Sequence, residues 1–160
     1  MNLYIRIISV LMFFTAVTSA GAATWDGEAR QLDDEVYSFS EPSRTQGGAV
    51  KMQVMCNRVS GMQLELQLYQ LSARHSVEHV LFQVDDNDVV VFKISEPTEM
   101  MGSWQTIQLP SDRNIDQMIS QMRAGHSVEI YVQSLFGDIS THIKLDGFTT
   151  TTNNIQSQCG

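Results

Sequence analysis

The chain has 160 residues and a mass of 18.0 kDa, which is enough for one domain rather than two. Hydrophobic residues make up 42% and charged residues 18%, a balance that excludes a disordered or collagen-like protein. Lys and Arg total 10 against 18 Asp and Glu, and the formal net charge of -8 argues against nucleic acid or an anionic membrane surface as the partner.

Residues 1–22 have the pattern of a secretory signal peptide. Arg6 follows the amino terminus, residues 7–17 form an uncharged apolar run, and Ala20–Ala22 supplies the small residues for cleavage after Ala22. The apolar run is too short to cross a bilayer, which needs about 20 residues. The pattern predicts a periplasmic or secreted protein with no membrane association once the signal peptide is removed.

The remaining chain is expected to have two parts. Residues 23–48 are polar and acidic, and we expect an N-terminal arm that ends in a short edge strand near Val36–Phe39. Residues 49–160 are expected to form one β domain held together by a disulfide bond. Cys56 and Cys159 both survive processing, and an exported chain with an even number of cysteines usually pairs them. Their pairing would close a loop of about 100 residues, which chain-entropy models value at roughly 4–5 kcal/mol.

The body of the chain alternates apolar and polar residues with period two, which is typical of antiparallel strands with one buried face. The alternating segments begin near Val50, Met62, Val80, Val90, Val128 and Ile143. A polar turn at residues 85–88 predicts a hairpin between strands 79–84 and 89–95. A second hairpin is predicted to join 127–133 to 139–146.

One segment has helical rather than strand periodicity. Ser111 is expected to cap this helix, and Gly125 is expected to end it. Its apolar residues fall at i, i+3, i+4 and i+7, namely Ile115, Met118, Ile119 and Met122. Residues 149–154, by contrast, are interpreted as a low-complexity polar link. Together the elements predict an all-β fold, an antiparallel β-sandwich or partly open barrel of about seven strands with one short amphipathic helix.

The residues that could bind a metal do not form a recognisable site. His75 and His79 are four residues apart, but they run into a predicted strand and have no evident third ligand. Asp85, Asp86 and Asp88 lack the Gly and the distal Glu of a calcium loop, and a hairpin turn explains them more simply. Most methionines of the mature chain occupy apolar positions in the predicted elements, where they fill the core. We therefore expect no metal and no cofactor.

The candidate contact residues lie in loops and on strands. Met100 and Met101 stand beside Trp104, and an aromatic residue next to flexible apolar ones is typical of a binding hot spot. The alternative is that Trp104 opens a strand and is buried. A second candidate is the acidic turn of residues 85–88, which an inhibitor would insert into the cleft of a cationic enzyme.

Three other aromatic residues are candidates for stacking on sugars. They are Trp25, Tyr69 and Tyr131. The alternative is that each forms an ordinary cross-strand pair. No motif of nucleophilic catalysis or phosphate binding accompanies them, so the sequence favours a non-catalytic protein without deciding the question.

The order of several short features resembles a known family. An early Trp25 is followed by a strand ending in Cys56, by Phe82–Asp86 with Trp104 downstream, and by the phrase Ile143–Phe148 before the last cysteine. In this layout the chain resembles the periplasmic proteins associated with type VI secretion (the VasI-like family) and the similar invasion-associated locus B family. The resemblance implies a small, exported, β-rich accessory protein and carries no catalytic residue over to this chain.

Three functions remain open at this point. The first is an exported, non-catalytic interaction or accessory protein of the bacterial cell envelope, with an envelope protein as its partner and an association with secretion as its narrower form. The second is an acidic periplasmic inhibitor of a cationic cell-wall hydrolase. The third is a module that binds glycans of the cell wall. The sequence indicates neither the identity of the partner nor the oligomeric state.

Overall fold

The computed structural model describes residue 25 and residues 27–46, 48–69, 77–95, 99–135 and 137–159. The predicted signal peptide and His75 lie outside these residues. In the part described, the strands are β1 (Arg30–Leu32), β2 (Glu35–Phe39), β3 (Ser43–Thr45), β4 (Gly48–Asn57), β5 (Gly61–Tyr69), β6 (Val77–Val84), β7 (Val90–Lys93), β8 (Glu99–Met101), β9 (Trp104–Gln108), β10 (Ser127–Ser134) and β11 (Ile139–Lys144). The helices are α1 (Arg113–Ala124) and α2 (Phe148–Cys159).

Within this part of the chain, the strands form two antiparallel sheets. The larger has seven strands in the order β1-β2-β4-β5-β9-β8, with β3 also paired to β4, and the smaller has four in the order β11-β10-β6-β7. The predicted all-β, sandwich-like fold is confirmed. The structure has more strands than the roughly seven expected, because β1, β3 and β8 have only three residues each, too few to show a readable alternation.

Strand alternation divides the larger sheet into an inner and an outer face. The fully buried residues of its central strands are Val50, Met52, Val54, Leu64, Leu66 and Leu68. The smaller sheet contributes Val80, Phe82, Val128, Ile130 and Ile143 to the same core. The odd-numbered residues of β4 and β5 therefore point away from the core, onto the outer face of the larger sheet.

Both predicted hairpins are confirmed. Strands β6 and β7 pair along their length, from His79, which lies opposite Lys93, toward the acidic turn that joins them. Strands β10 and β11 pair from Ser127 opposite Lys144. Because β10 also pairs with β6, the two hairpins form one continuous sheet.

The helix α1 follows the predicted stripe but is capped by a different residue. The Asp112 carboxylate accepts a hydrogen bond of 2.8 Å from the backbone N–H of Asn114 and so caps the helix. Ser111, the predicted cap, instead accepts a hydrogen bond from the Gln63 amide, 3.3 Å away. The four predicted stripe residues are all buried, as expected.

Gly125 ends α1, as predicted, but not by the mechanism usual for glycine. Its φ of -92° is accessible to any residue, so no left-handed conformation requires glycine here. A Cβ at this position would instead collide with the side chain of Val84. The position requires glycine because α1 ends directly against β6.

The prediction of a polar link over residues 149–154 was wrong, because this segment belongs to α2. A run of threonines has low helix propensity, since β-branched side chains lose χ1 freedom in a helix. Buried residues nevertheless recur along α2 at helical spacing, so one face of the helix packs against the protein core. The buried residues are Phe148, Thr151, Thr152, Ile155 and Cys159. Tertiary packing therefore overrides the local preference.

The predicted disulfide bond joins Cys56 of β4 to Cys159 at the end of α2, with their Cα atoms 5.9 Å apart. It fastens the last helix to the centre of the larger sheet across a sequence separation of 103. The segment expected to be an arm supplies β1, β2 and β3 of that same sheet. Strand β2 lies between β1 and β4, so it is an interior strand rather than an edge.

Candidate functional site

The described residues contain no group of three or more His, Cys, Asp or Glu side chains that could hold a metal ion. His79 lies on β6, and its sequence neighbour His75 falls outside the residues described. In the same part of the chain, no helix is both long enough and apolar enough to cross a membrane. The remaining candidates for a functional site are surfaces.

The acidic turn places its three aspartates in different situations. The Asp85 carboxylate accepts hydrogen bonds from the backbone N–H groups of His126 (2.9 Å) and Ser127 (3.0 Å). These bonds, that of His126 first, lower the pKa of Asp85 below its usual range. All three aspartates are exposed, but Asp85 is the one whose carboxylate forms these backbone hydrogen bonds. Asp85 therefore fixes the α1–β10 connection to the β6–β7 turn, and this internal role leaves its carboxylate less available to a partner.

Two of the aromatic residues considered for sugar stacking differ from each other in exposure. Trp25 is only 5% exposed and packs against Phe148, so it cannot stack on a ligand, and that interpretation was wrong. Tyr131 is 37% exposed on the outer face of the smaller sheet, and its hydroxyl donates a hydrogen bond of 2.6 Å to Asp138. This bond raises the pKa of Tyr131.

Met100 and Trp104, two residues of the predicted hot spot, do not lie together in the structure. Met100 is 46% exposed and pairs with Gln105, while Trp104 pairs with Tyr69 on the neighbouring strand. Because successive strand residues alternate between faces, Met100 and Trp104 lie on opposite faces of the larger sheet. Trp104 does open a strand, as the alternative held, but it is only half-buried. The structure does not describe the side chain of Met101, the third residue of the predicted hot spot.

Trp104 belongs instead to a group of rings that strand pairing brings together on the outer face of the larger sheet. We call this surface the aromatic face; it consists of Tyr37, Phe39, Tyr69 and Trp104 with the cationic residues Arg30 and Lys51. Tyr69 and Trp104 have ring centroids 5.0 Å apart at an angle of 40°. Tyr37 and Phe39 meet edge-on at 5.5 Å. All four rings are half-buried, so each keeps part of its surface open to solvent.

Lys51 connects the two ring pairs. Its Nζ lies 4.2 Å from the Phe39 centroid and 4.7 Å from the Trp104 centroid, within the range of cation–π attraction to both rings. The guanidinium of Arg30 lies 5.9 Å from the same Phe39 ring. Burial, and secondarily the charge of Arg30, lower the pKa of Lys51. Two cations therefore share one aromatic ring in a protein that is acidic overall.

Two glutamine amides lie beside this cation. The Gln67 amide N–H donates a hydrogen bond of 2.9 Å to the Gln53 side-chain oxygen, and Gln67 stands directly opposite Lys51 in the strand register. Gln53 is 8% exposed although it lies on the outer face, and its amide nitrogen also lies 4.0 Å from the Met55 sulfur. This arrangement fixes the direction of the amide groups on the surface.

A small cleft opens at one side of the aromatic face. It has a volume of about 260 Å³ and is lined by Arg30, Phe39, Ser40, Glu41, Pro42 and Lys51. Two of its lining residues are the cations just described. The cleft is slightly below the usual lower limit of about 300 Å³ for sites that bind drug-sized molecules, so it fits a single small ring or group.

Sequence reasoning missed the aromatic face because its members come from five strands that only the fold brings together. One signal was available: Tyr37, Phe39 and Tyr69 occupy the positions that strand alternation reserves for polar residues. A large aromatic residue at such a position indicates either cross-strand pairing or a surface with a function. Here the rings contact one another in pairs and stay partly exposed.

No protein family, curated protein or solved structure matches the chain. The resemblance to secretion-associated periplasmic proteins therefore stays a prediction from the sequence. Among the described surfaces, the aromatic face is the one that combines partly exposed rings with cations, and it is the candidate site.

Proposed function

We propose that this chain is an exported, non-catalytic binding protein of the bacterial cell envelope that holds its partner on the aromatic face. The observation that carries the proposal is the position of the Lys51 ammonium against Phe39 and Trp104 on a rigid sheet. Aromatic rings with a few fixed polar or charged groups beside them are typical of surfaces that bind ligands. The disulfide bond supports export, because such bonds persist in oxidising compartments.

The lowered pKa of Lys51 also supports a binding role. Removing an ammonium from water and placing it near a second cation disfavours its charged form. Lys51 is half-buried, and an apolar side chain in its place would incur no such cost. Ionisable residues with a shifted pKa cluster at functional sites. A link to a secretion machine is the narrower form of this proposal, and it rests on the resemblance alone.

Site-specific photo-crosslinking tests whether the aromatic face is the contact surface. Thr106 lies on the same face, two residues from Trp104 on β9 and opposite Gln67 of β5. A photoreactive amino acid at Thr106 should give an adduct when whole cells are illuminated. The matched control is the same substitution at Glu129, which is exposed on the outer face of the smaller sheet.

The proposal predicts an adduct from position 106, none from position 129, and loss of the first adduct when Trp104→Ala is added. The test registers a mass shift whatever the chemical class of the partner. Equal adducts from both positions, or adducts from position 129 alone, would show that the partner binds elsewhere.

A further inference from the structure

We infer that the ligand of the aromatic face is an acidic glycan, namely the sugar strand of the bacterial cell wall after removal of its stem peptides, which leaves the muramic acid carboxylates free. The inference rests on the proposed function, since it names the ligand class for the same surface. Three features of the face lead to it: ring surfaces for stacking, fixed polar groups for hydroxyls, and paired cations for a carboxylate.

The rings are arranged to receive sugar rings. The faces of aromatic rings carry partial negative charge, and they attract the weakly positive C–H groups on the flat side of a pyranose. Tyr69 and Trp104 form one such surface on one side of Lys51, and Tyr37 and Phe39 form another on the opposite side. Strands hold all four residues, so stacking requires little ordering of the protein.

The polar groups between the rings match sugar hydroxyls, which both donate and accept hydrogen bonds. An ammonium has three donors, and within the described residues the Lys51 ammonium contacts two rings and has no carboxylate partner. Gln67 donates one amide hydrogen bond to the buried Gln53, whose own amide nitrogen lies 4.0 Å from the Met55 sulfur, and the Gln67 amide keeps further donor and acceptor capacity for a ligand. Their mutual bond orients that capacity in advance.

The cleft supplies the preference for an acidic sugar. Arg30 and Lys51 both line it, and an anion placed there would relieve their mutual repulsion. Glu28 lies 3.6 Å from the Arg30 guanidinium, and Glu41 lines the cleft, but both carboxylates are exposed, so water screens their charge. Muramic acid differs from glucosamine by a lactyl ether, and the carboxylate of this group is free where the stem peptide has been removed. The cleft has room for one such group.

The surface composition favours a sugar over a protein partner. Protein interfaces have a contiguous apolar centre. Across the described residues, the exposed large hydrophobic side chains are Leu32, Val59, Val89, Val91, Met100, Tyr131 and Leu135, and none of them belongs to the aromatic face. That face instead alternates rings with amides and cations.

The test compares two disaccharides that differ in one carboxylate-bearing group. Isothermal titration of the mature, oxidised chain is carried out with N-acetylglucosaminyl-N-acetylmuramic acid and with chitobiose, which lacks the lactyl group. We expect the muramic disaccharide to bind about tenfold more tightly, the effect of one charge-assisted hydrogen bond, and this advantage should shrink at high salt.

Two variants and two matched controls assign the effect to the aromatic face. Lys51→Met keeps the aliphatic stem and should remove the advantage of the muramic disaccharide, while Trp104→Ala should weaken both sugars. Lys93→Met and Tyr131→Ala make the same changes on the smaller sheet and should leave binding unchanged. Circular dichroism checks that each variant is folded. If Trp104→Ala does not fold, the binding result of Lys51→Met alone tests the inference.

Binding of neither sugar, or equal binding of both, would overturn the inference. An adduct from Thr106 that contains a protein and no sugar would also overturn it while the proposed function survives. Failure of both the sugar titration and the Thr106 crosslink would reject the aromatic face as a binding surface altogether.

Discussion

The indole ring of Trp25 meets the ring of Phe148 edge-on, with their centroids 4.9 Å apart and an angle of 63° between their planes. The Trp25 backbone N–H donates a hydrogen bond of 3.1 Å to the Asp146 carbonyl. Gly147 has a φ of +84°, and a Cβ there would lie 3.2 Å from the Trp25 carbonyl oxygen. The segment before β1 therefore packs tightly against the turn that begins α2.

The two tryptophans should respond differently to truncation. Trp25→Ala should lower the free energy of unfolding by about 3–5 kcal/mol, because it empties a buried aromatic site. Trp104→Ala should cost only about 1–2 kcal/mol, because its ring is half-exposed. Urea denaturation of the mature chain measures both values. Equal losses would contradict the assignment of one tryptophan to the core and the other to a surface.

The disulfide bond should be a large part of the stability of the domain. Cys56→Ser is expected to lower the free energy of unfolding by roughly 2–5 kcal/mol, because the bond restricts the unfolded chain over a long loop. Reduction of the unmutated protein is the matched control and should give a similar loss. Thiol titration of the native protein should find no free sulfhydryl, and two free groups would refute the pairing.

The buried stripe of α1 can be tested by charge. Met118 is fully buried, so Met118→Asp should destabilise the domain by at least about 3 kcal/mol through an unpaired buried carboxylate. Gln117→Asp introduces the same group on the exposed side of the helix and should change stability little. Thermal unfolding distinguishes the two. An unchanged melting temperature for the Met118 variant would mean that the stripe is not part of the core.

The bonds of Asp85 predict how stability depends on acid. Because its pKa is lowered in the folded protein, its ionised form contributes stability above its usual pKa, and this is lost as pH falls below about 4. Asp85→Asn should therefore reduce the melting temperature at neutral pH. On acidification, the melting temperature of this variant should fall less than that of the unmutated protein. Asp86→Asn, at an exposed neighbour, serves as the control. Parallel curves for all three proteins would contradict this role for Asp85.

Hairpins and the stripe of α1 could be predicted because they depend on neighbours in the sequence. Alternation with period two fixes which residues of β6 and β10 face the core, and the intervening polar turns fix the pairing. The stripe of α1 is equally local, since Ile115 and Met122 are two turns apart. The disulfide bond followed from cysteine number, because two cysteines allow only one pairing.

The second helix and the candidate site could not be predicted in this way. Threonine-rich residues 149–154 have no local preference for a helix, and their conformation depends on packing against the core and on Cys159. The exposure of Trp25 was misjudged for a similar reason, since its partner Phe148 lies at the other end of the sequence.

The sequence by itself determined the all-β class, the two hairpins, the first helix and the cysteine pairing, because each depends on local periodicity or on simple counting. The tertiary structure decided which side chains lie next to one another on the surface. Lys51, Phe39 and Trp104 are distant in the chain, and only the order β2-β4-β5-β9 places the ammonium of the first against the rings of the other two. Strand order is set by the packing of the whole core, which no segment of the sequence contains on its own.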